Sequence, residues 1–124
     1  MPEKPRLLAI EDEPDQVRLL QVRLEANGFT VLFARDGEEG LKRAAEEKPG
    51  LILLDLMLPK LDGFEVAKRL KGSPETKAIP ILLLTAASME NLEEQATAAG
   101  AQGCLRRPYD SADLLAAIRK LLPP

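Results

Sequence analysis

A run of four aliphatic residues ends at a carboxylate in the middle of the chain. Residues Leu51 to Leu54 are all aliphatic, and Asp55 follows them directly. A run this apolar and this short is typical of a strand buried on both faces, as in parallel sheets covered by helices. Burying a carboxylate at this position costs free energy unless a hydrogen-bond donor or a cation compensates its charge. Because open α/β sheets bind their ligands beyond the carboxyl ends of the strands, Asp55 is a candidate functional residue.

A second aliphatic run, Leu7 to Ile10, ends in the acidic residues Glu11, Asp12 and Glu13. Two acid-tipped strands side by side would crowd like charges, which is unfavourable without a cation. Oxygen-only ligands in a shallow acidic pocket suit Mg²⁺. The pattern therefore predicts a magnesium site between Asp55 and the acids that follow the first strand. For Glu13, capping the following helix is the better interpretation.

Apolar runs alternate with helical patterns along the whole chain, which predicts an α/β fold with a parallel sheet and helices on both faces. We predict strands over 6–11, 30–34, 50–55, 80–85 and 103–106, and helices over 14–27, 36–47, 63–71, 88–99 and 111–122. Asp36 with Glu39 predicts a capping box for the second helix, while Asp62 and Asp110 are predicted caps of the third and fifth.

Composition restricts the class of protein. The 124 residues predict one domain, 1–124, and 45% hydrophobic residues are enough for its core. A net charge of −3 argues against non-specific nucleic-acid binding, and the apolar stretches are too short for a membrane span. With a single cysteine and no signal-peptide pattern, we expect a cytoplasmic protein. The absence of histidine excludes histidine-based catalysis and histidine-ligated zinc.

Two further strands end in polar groups that complete a chemical set. Thr85 ends the fourth apolar run, and Arg106 and Arg107 end the fifth. An acceptor carboxylate, a divalent metal, a hydroxyl donor and a fixed cation are the parts that phosphoryl transfer needs. In that set the carboxylate attacks phosphorus, while the metal and the cation neutralise the equatorial oxygens.

From Leu7 to Leu122 the chain resembles the receiver domain of two-component response regulators. Four segments carry the resemblance in order and at matching spacings: residues 8–14 (LAIEDEP), 51–63 (LILLDLMLPKLDG), 80–86 (PILLLTA) and 107–109 (RPY). The resemblance implies a doubly wound, flavodoxin-like sheet of five parallel strands in the order 2-1-3-4-5.

The resemblance also implies roles for individual residues. Asp55 would accept a phosphoryl group from a histidine of a partner, either a sensor histidine kinase or a phosphotransfer protein. Asp12, Asp55 and the carbonyl of Met57 would bind Mg²⁺ directly, with Glu11 acting mostly through water. Thr85 would bond the phosphoryl oxygen and move toward it on activation. Such a domain catalyses only its own phosphorylation and dephosphorylation, and it is not otherwise an enzyme.

Two positions depart from the family pattern. Arg107 stands where the family has a lysine, and Cys104 stands where it usually has an aromatic residue that rotates inward with the threonine. We predict that Arg107 points into the acidic pocket and takes the lysine's charge role, where it can contact a phosphoryl group or pair permanently with Asp55. The threonine–aromatic switch is incomplete without the aromatic ring. Both departures favour the alternative of a pseudo-receiver, a protein-interaction module that works without phosphorylation.

A third possibility, a small enzyme on the same fold, lacks support because the first strand is not followed by a glycine-rich phosphate loop.

The output of the predicted receiver is expected to be a downstream protein target or a fused output domain. The predicted fourth helix has Glu90, Glu93 and Glu94 but no basic residue. It therefore lacks the matched charges of receivers that dimerise in transcription factors. This favours a stand-alone receiver or an excised module, as a monomer or weak dimer, without direct nucleic-acid or membrane contact.

Overall fold

The computed structural model describes residues 4–86 and 90–123, within which five strands alternate with five helices. The strands are β1 (Arg6–Ile10), β2 (Thr30–Ala34), β3 (Leu51–Asp55), β4 (Ile81–Thr85) and β5 (Gly103–Arg106). The helices are α1 (Pro14–Glu25), α2 (Gly37–Glu47), α3 (Gly63–Gly72), α4 (Leu92–Ala98) and α5 (Ser111–Leu121).

All strand pairs are parallel, and the sheet has the order β2-β1-β3-β4-β5. The doubly wound α/β fold and its strand order are thus as predicted. The register places Ile10 of β1 opposite Leu54 of β3, and Thr85 of β4 opposite Arg106 of β5. Because the strands run in one direction, their carboxyl ends meet at one edge of the sheet.

Side chains of successive residues in the central strands pack on opposite faces of the sheet, which is why these strands are continuously apolar. One face packs against α2, α3 and α4, and the strand residues in that core are Leu8, Ile10, Ile52, Leu54, Ile81 and Leu83. The other face packs against α1 and α5, and its strand residues are Leu7, Ala9, Leu51, Leu53, Leu82 and Leu84. All twelve are at most 2% exposed, so the sheet is a rigid base for the residues at its edge.

The fourth helix is shorter than the prediction of 88–99. Residues 88 and 89 of that prediction lie outside the described part of the chain, and α4 begins at Leu92. Asn91 precedes it with a φ of 58°, in the left-handed region, so it cannot belong to the same right-handed helix. The other element boundaries agree with the predictions to within two residues.

All four predicted residues stand at the N-cap position of their helices, and three of them make a side-chain capping hydrogen bond. The carboxylates of Asp36, Asp62 and Asp110 accept hydrogen bonds from the amides of Glu39, Glu65 and Asp113 at 2.9, 3.0 and 2.8 Å. Glu13 occupies the N-cap position of α1, as predicted, but its side chain makes no capping hydrogen bond. Its own amide instead donates to Glu11 Oε2 at 3.3 Å.

A membrane span would need a long, strongly apolar helix, and none of the helices in residues 4–86 and 90–123 meets that requirement.

Candidate functional site

Three carboxylates meet at the carboxyl edge of the sheet. Glu11 and Asp12 follow β1, and Asp55 is the last residue of the neighbouring β3. One carboxylate oxygen from each of the three residues lies within 4.8 Å of the others. The predicted crowding of acids is therefore present, and it results from parallel strands that end side by side.

The three acids differ in their exposure to solvent. Glu11 is 2% exposed and Asp55 is 6% exposed, whereas Asp12 is exposed. Glu11 and Asp12 also line an open concavity of about 750 Å³, whose rim includes Asp15 and Arg18 of α1 and Arg35 just after β2. The cluster thus has two buried acids, Glu11 and Asp55, and one exposed acid, Asp12, which borders the open concavity together with Glu11.

The raised pKa at this site belongs to Glu11. Burial is the main cause, and hydrogen bonding to Asp55 and its negative charge raise the pKa further, to about 7. Arg107 and the amide of Glu13 act in the opposite direction but do not outweigh these effects. A carboxyl group with this pKa changes charge near neutrality, which a bound cation would oppose by favouring the ionised form.

The guanidinium of Arg107 reaches the acidic cluster from the residue after β5, as predicted. Its Nη2 donates to Glu11 Oε1 at 2.7 Å, and its Nη1 lies 3.6 Å from Asp55 Oδ1. Burial lowers the pKa of Arg107, but the charges of Glu11, Tyr109 and Asp55 outweigh burial and raise it, so the cation is permanent. The prediction that Arg107 could pair with Asp55 missed the closer partner, Glu11.

The backbone after β3 holds Asp55 in place. The amide of Met57 donates to Asp55 Oδ1 at 3.1 Å, and the amide of Gly63 donates to the carbonyl of Leu56 at 3.1 Å. A Cβ at position 63 would lie 2.6 Å from Leu56 Cα and 2.8 Å from the carbonyl oxygen of Asp55. Glycine is therefore required for this close approach. The side chain of Met57 is exposed, so its predicted role concerns its backbone alone.

Thr85 ends β4 at the same edge and is fully buried. Its carbonyl accepts a hydrogen bond from the amide of Arg107 at 2.7 Å, which ties the end of β4 to the residue that carries the guanidinium. Ala86, the next residue, is exposed. The structure thus places all six predicted site residues, including Met57, at or just after the carboxyl ends of β1, β3, β4 and β5.

The donor chemistry fits a hard divalent cation. The three acids supply oxygen ligands alone, and two of them are buried where mutual repulsion is poorly screened. A bound cation would favour the ionised form of Glu11 and so offset the burial and the repulsion from Asp55 that raise its pKa. Mg²⁺ binds in this way, through one or two carboxylates with further ligands from water.

Tyr109 is a neighbour of the site that sequence reasoning did not single out. Burial raises the pKa of its phenol, while the charge of Arg107 lowers it in part. Arg18 and Arg35 at the rim were also missed, because their distance from the acids depends on how α1 packs beside β2. Cys104 in β5 is only partly buried and packs against the core on the side of α4, and burial raises the pKa of its thiol.

Comparison with known proteins agrees with this fold and site. A family model for the response regulator receiver domain matches residues 7–119. The DNA-binding dual master transcriptional regulator RpaA of Synechocystis is 42% identical over 118 residues, which are 95% of this chain and 49% of RpaA. The chain thus spans about half the length of that relative.

Two solved structures show the same architecture. The chemotaxis protein CheY4 of Vibrio cholerae has a TM-score of 0.89 at 28% identity, covering 96% of this chain and 99% of CheY4. The receiver domain of the sensor histidine kinase PA1611 from Pseudomonas aeruginosa, which has a magnesium ion coordinated in its active site cleft, has a TM-score of 0.87 at 25% identity. That match covers 97% of this chain and 98% of the PA1611 domain.

The chain belongs to the response regulator receiver domain family of two-component signalling. Members of this family are signalling phosphoacceptors that work with histidine kinases, rather than enzymes acting on other substrates. The acidic cluster of Glu11, Asp12 and Asp55 corresponds to the magnesium site of receivers.

Proposed function

We propose that Asp55 is the phosphoacceptor of this receiver and that it takes its phosphoryl group from a histidine of a sensor kinase or phosphotransfer protein in a magnesium-dependent reaction. The observation that carries the proposal is the position of Asp55. Its carboxylate is buried at the end of a central strand, with oxygens of Glu11 and Asp12 within 4.8 Å. A buried nucleophile beside two further acids is the arrangement that a metal-assisted phosphoryl transfer requires.

In this reaction a carboxylate oxygen of Asp55 attacks phosphorus, the bond between phosphorus and the donor nitrogen breaks, and the bonding electrons return to the donor imidazole. Asp12, Asp55 and the carbonyl of Met57 would hold Mg²⁺ directly and Glu11 mostly through water, and the bound ion would supply positive charge beside the phosphoryl oxygens. The Met57 amide engages Asp55 Oδ1 at 3.1 Å and so fixes the rotation of the carboxylate. Holding the nucleophile in one orientation is a large part of what a site contributes to such a step.

Thr85 and Arg107 complete the proposed mechanism. The hydroxyl of Thr85 would donate a hydrogen bond to a phosphoryl oxygen, and Arg107 would place its positive charge beside the others. The hydrogen bond from the Arg107 amide to the Thr85 carbonyl joins these two residues through the backbone. A movement of Thr85 toward the phosphoryl group would therefore be transmitted to β5 and the face beside it, where a downstream protein or a fused output domain would bind.

The test is covalent labelling with a small phosphodonor such as acetyl phosphate, measured by mass spectrometry of the intact protein. The parent should gain one phosphoryl group with Mg²⁺ and none with EDTA. Asp55→Asn should gain none, because the amide keeps the shape but is not a nucleophile. Asp62→Asn, which removes an exposed capping carboxylate, is the matched control and should be labelled like the parent.

Equal labelling of the parent and Asp55→Asn would reject Asp55 as the acceptor. An unlabelled parent that still binds a partner protein would instead support the pseudo-receiver alternative.

A further inference from the structure

Strand β2 forms one edge of the sheet and pairs with β1 alone. The amide of Thr30 and the carbonyl of Ala34 make hydrogen bonds with the residues that flank β1, so both groups point inward. Because successive residues of a strand point their backbone groups to opposite sides, those of Val31 and Phe33 point away from the sheet. An edge strand of this kind presents backbone groups to which another strand can pair.

The sequence of β2 is well suited to such pairing. Residues 29–34 read FTVLFA, without a charge, a glycine or a proline. Aromatic and β-branched residues favour strands, and uncharged segments rich in them pair readily with copies of themselves. Leu32 and Phe33 are only partly buried, so each keeps apolar surface that a further strand would cover.

A single side chain reaches this edge from α2. Nη1 of Arg43 donates to the outward-facing carbonyl of Phe33 at 2.8 Å. Glu39 and Glu47 stand four residues before and after Arg43 on the same helix, at the spacing of helical ion pairs. In the described part of the chain Arg43 forms an ion pair with neither of them. The guanidinium therefore lies on the strand edge rather than on the acids of its own helix.

A second copy of the chain could pair with β2 about a two-fold axis at Leu32. In that antiparallel register Val31 of one copy faces Phe33 of the other, and each such pair exchanges two backbone hydrogen bonds. Half of these bonds would end on the carbonyl of Phe33, which already accepts from Arg43. Each copy would also bring a guanidinium to the joint, and like charges across a strand pair oppose pairing.

We propose that the outer edge of β2 is a pairing site for β2 of a second copy of this chain, and that Arg43 keeps this site closed. Arginine suits the task because its charge is permanent, and charged side chains are a common protection of strand edges. The contact between Arg43 and Phe33 thus holds the chain as a monomer. The inference does not depend on the proposed function, since neither residue belongs to the acidic cluster.

The experiment measures the dissociation constant of the dimer by sedimentation equilibrium on the whole chain. Arg43→Met keeps a long unbranched side chain but removes the donor and the charge. It should lower the constant at least about tenfold relative to the parent, because two backbone hydrogen bonds become available. Lys42→Met makes the same kind of change at the preceding, exposed residue of α2 and should alter the constant less than about twofold.

Hydrogen exchange followed by NMR locates the interface in the same samples. The amides of Val31 and Phe33 should exchange more slowly in the Arg43→Met dimer than in the parent, because both donate across the joint. A monomeric Arg43→Met, or a dimer in which these two amides exchange as fast as in the parent, would overturn the proposal.

An equal gain of affinity in Lys42→Met would also overturn it, because added apolar surface would then be the cause. If circular dichroism shows that Arg43→Met is unfolded, Arg43→Gln takes its place. That variant loses the charge and keeps a polar side chain, and the same two measurements decide.

Discussion

Two arginine–glutamate ion pairs of this protein have similar geometry and very different surroundings. Arg69 Nε lies 3.1 Å from Glu65 Oε2, one turn apart on α3, and the two side chains are 52% and 44% exposed. Arg107 Nη2 lies 2.7 Å from Glu11 Oε1, across 96 residues of sequence, and those side chains are 16% and 3% exposed. The first pair is a solvated contact on a helix surface, whereas the second lies inside a pocket of like charges.

The comparison teaches that burial, rather than distance, decides what an ion pair does. An exposed pair at i,i+4 spacing contributes a few tenths of a kcal/mol. A buried pair has lost its hydration, so removing one partner leaves an uncompensated charge at a much larger cost. The same two residue types therefore serve surface stability in α3 and charge balance at the edge of the sheet.

The largest difference should follow from removing each arginine. Arg107→Met should destabilise the protein in EDTA by about 3 kcal/mol at pH 8, because the buried side chains of Glu11 and Asp55 both lose the cation that lies beside them. Arg69→Met should cost less than about 0.5 kcal/mol. Urea unfolding in EDTA measures both. Equal costs for the two variants would show that burial does not separate the pairs.

The pH dependence should be next in size. The pKa of Glu11 is raised from 4.5 to about 7, so Glu11 stabilises the fold at low pH, and that contribution is lost as the pH rises through 7. Relative to the parent in EDTA, Glu11→Gln should therefore gain about 2 kcal/mol of stability between pH 5.5 and pH 8.

Glu65→Gln, in the exposed pair, is the matched control for the pH experiment. It should differ from the parent by less than about 0.5 kcal/mol at both pH values. Unfolding free energies from urea titrations at the two pH values give the comparison. A pH-independent difference between Glu11→Gln and the parent would contradict the raised pKa.

Mg²⁺ should affect the buried cluster and not the exposed pair. At ten times its dissociation constant, Mg²⁺ should stabilise the parent by about 1.4 kcal/mol through mass action. Asp12→Asn should abolish this gain because it removes a proposed ligand, while Glu65→Gln should keep it. Melting temperatures with MgCl₂ and with EDTA provide the measurement. A full magnesium effect in Asp12→Asn would place the metal elsewhere.

Added salt should have the smallest effect, because it screens the exposed ion pair and lowers its coupling energy more than that of the buried pair. The coupling energy of Arg69 with Glu65, about 0.3 to 0.5 kcal/mol at low salt, should approach zero in 1 M NaCl. The coupling of Arg107 with Glu11 should keep most of its value, because solvent ions have little access to it. Double-mutant cycles at both salt concentrations test this. A parallel loss in both cycles would mean that the pocket is as well solvated as the surface of α3.

The sequence by itself determined the fold class and which residues form the site. Aliphatic runs of four residues between amphipathic segments specify buried parallel strands, and the carboxyl ends of such strands must share one edge of the sheet. The sequence alone therefore assigns Asp55, the acids after β1, Thr85 and Arg107 to one place. The helix caps at Asp36, Asp62 and Asp110 were equally accessible, because capping depends on a few adjacent residues.

Only the tertiary structure decided which acid pairs with Arg107, which carboxyl has the raised pKa and where α4 begins. The 2.7 Å and 3.6 Å contacts of one guanidinium differ by less than a bond length, and they depend on strand register and on packing between residues far apart in sequence. The raised pKa of Glu11 depends on burial and on the approach of Asp55, which local patterns do not encode. Sequence periodicity sets which residues face a common edge, whereas the sub-ångström differences that select partners arise when the whole core is packed.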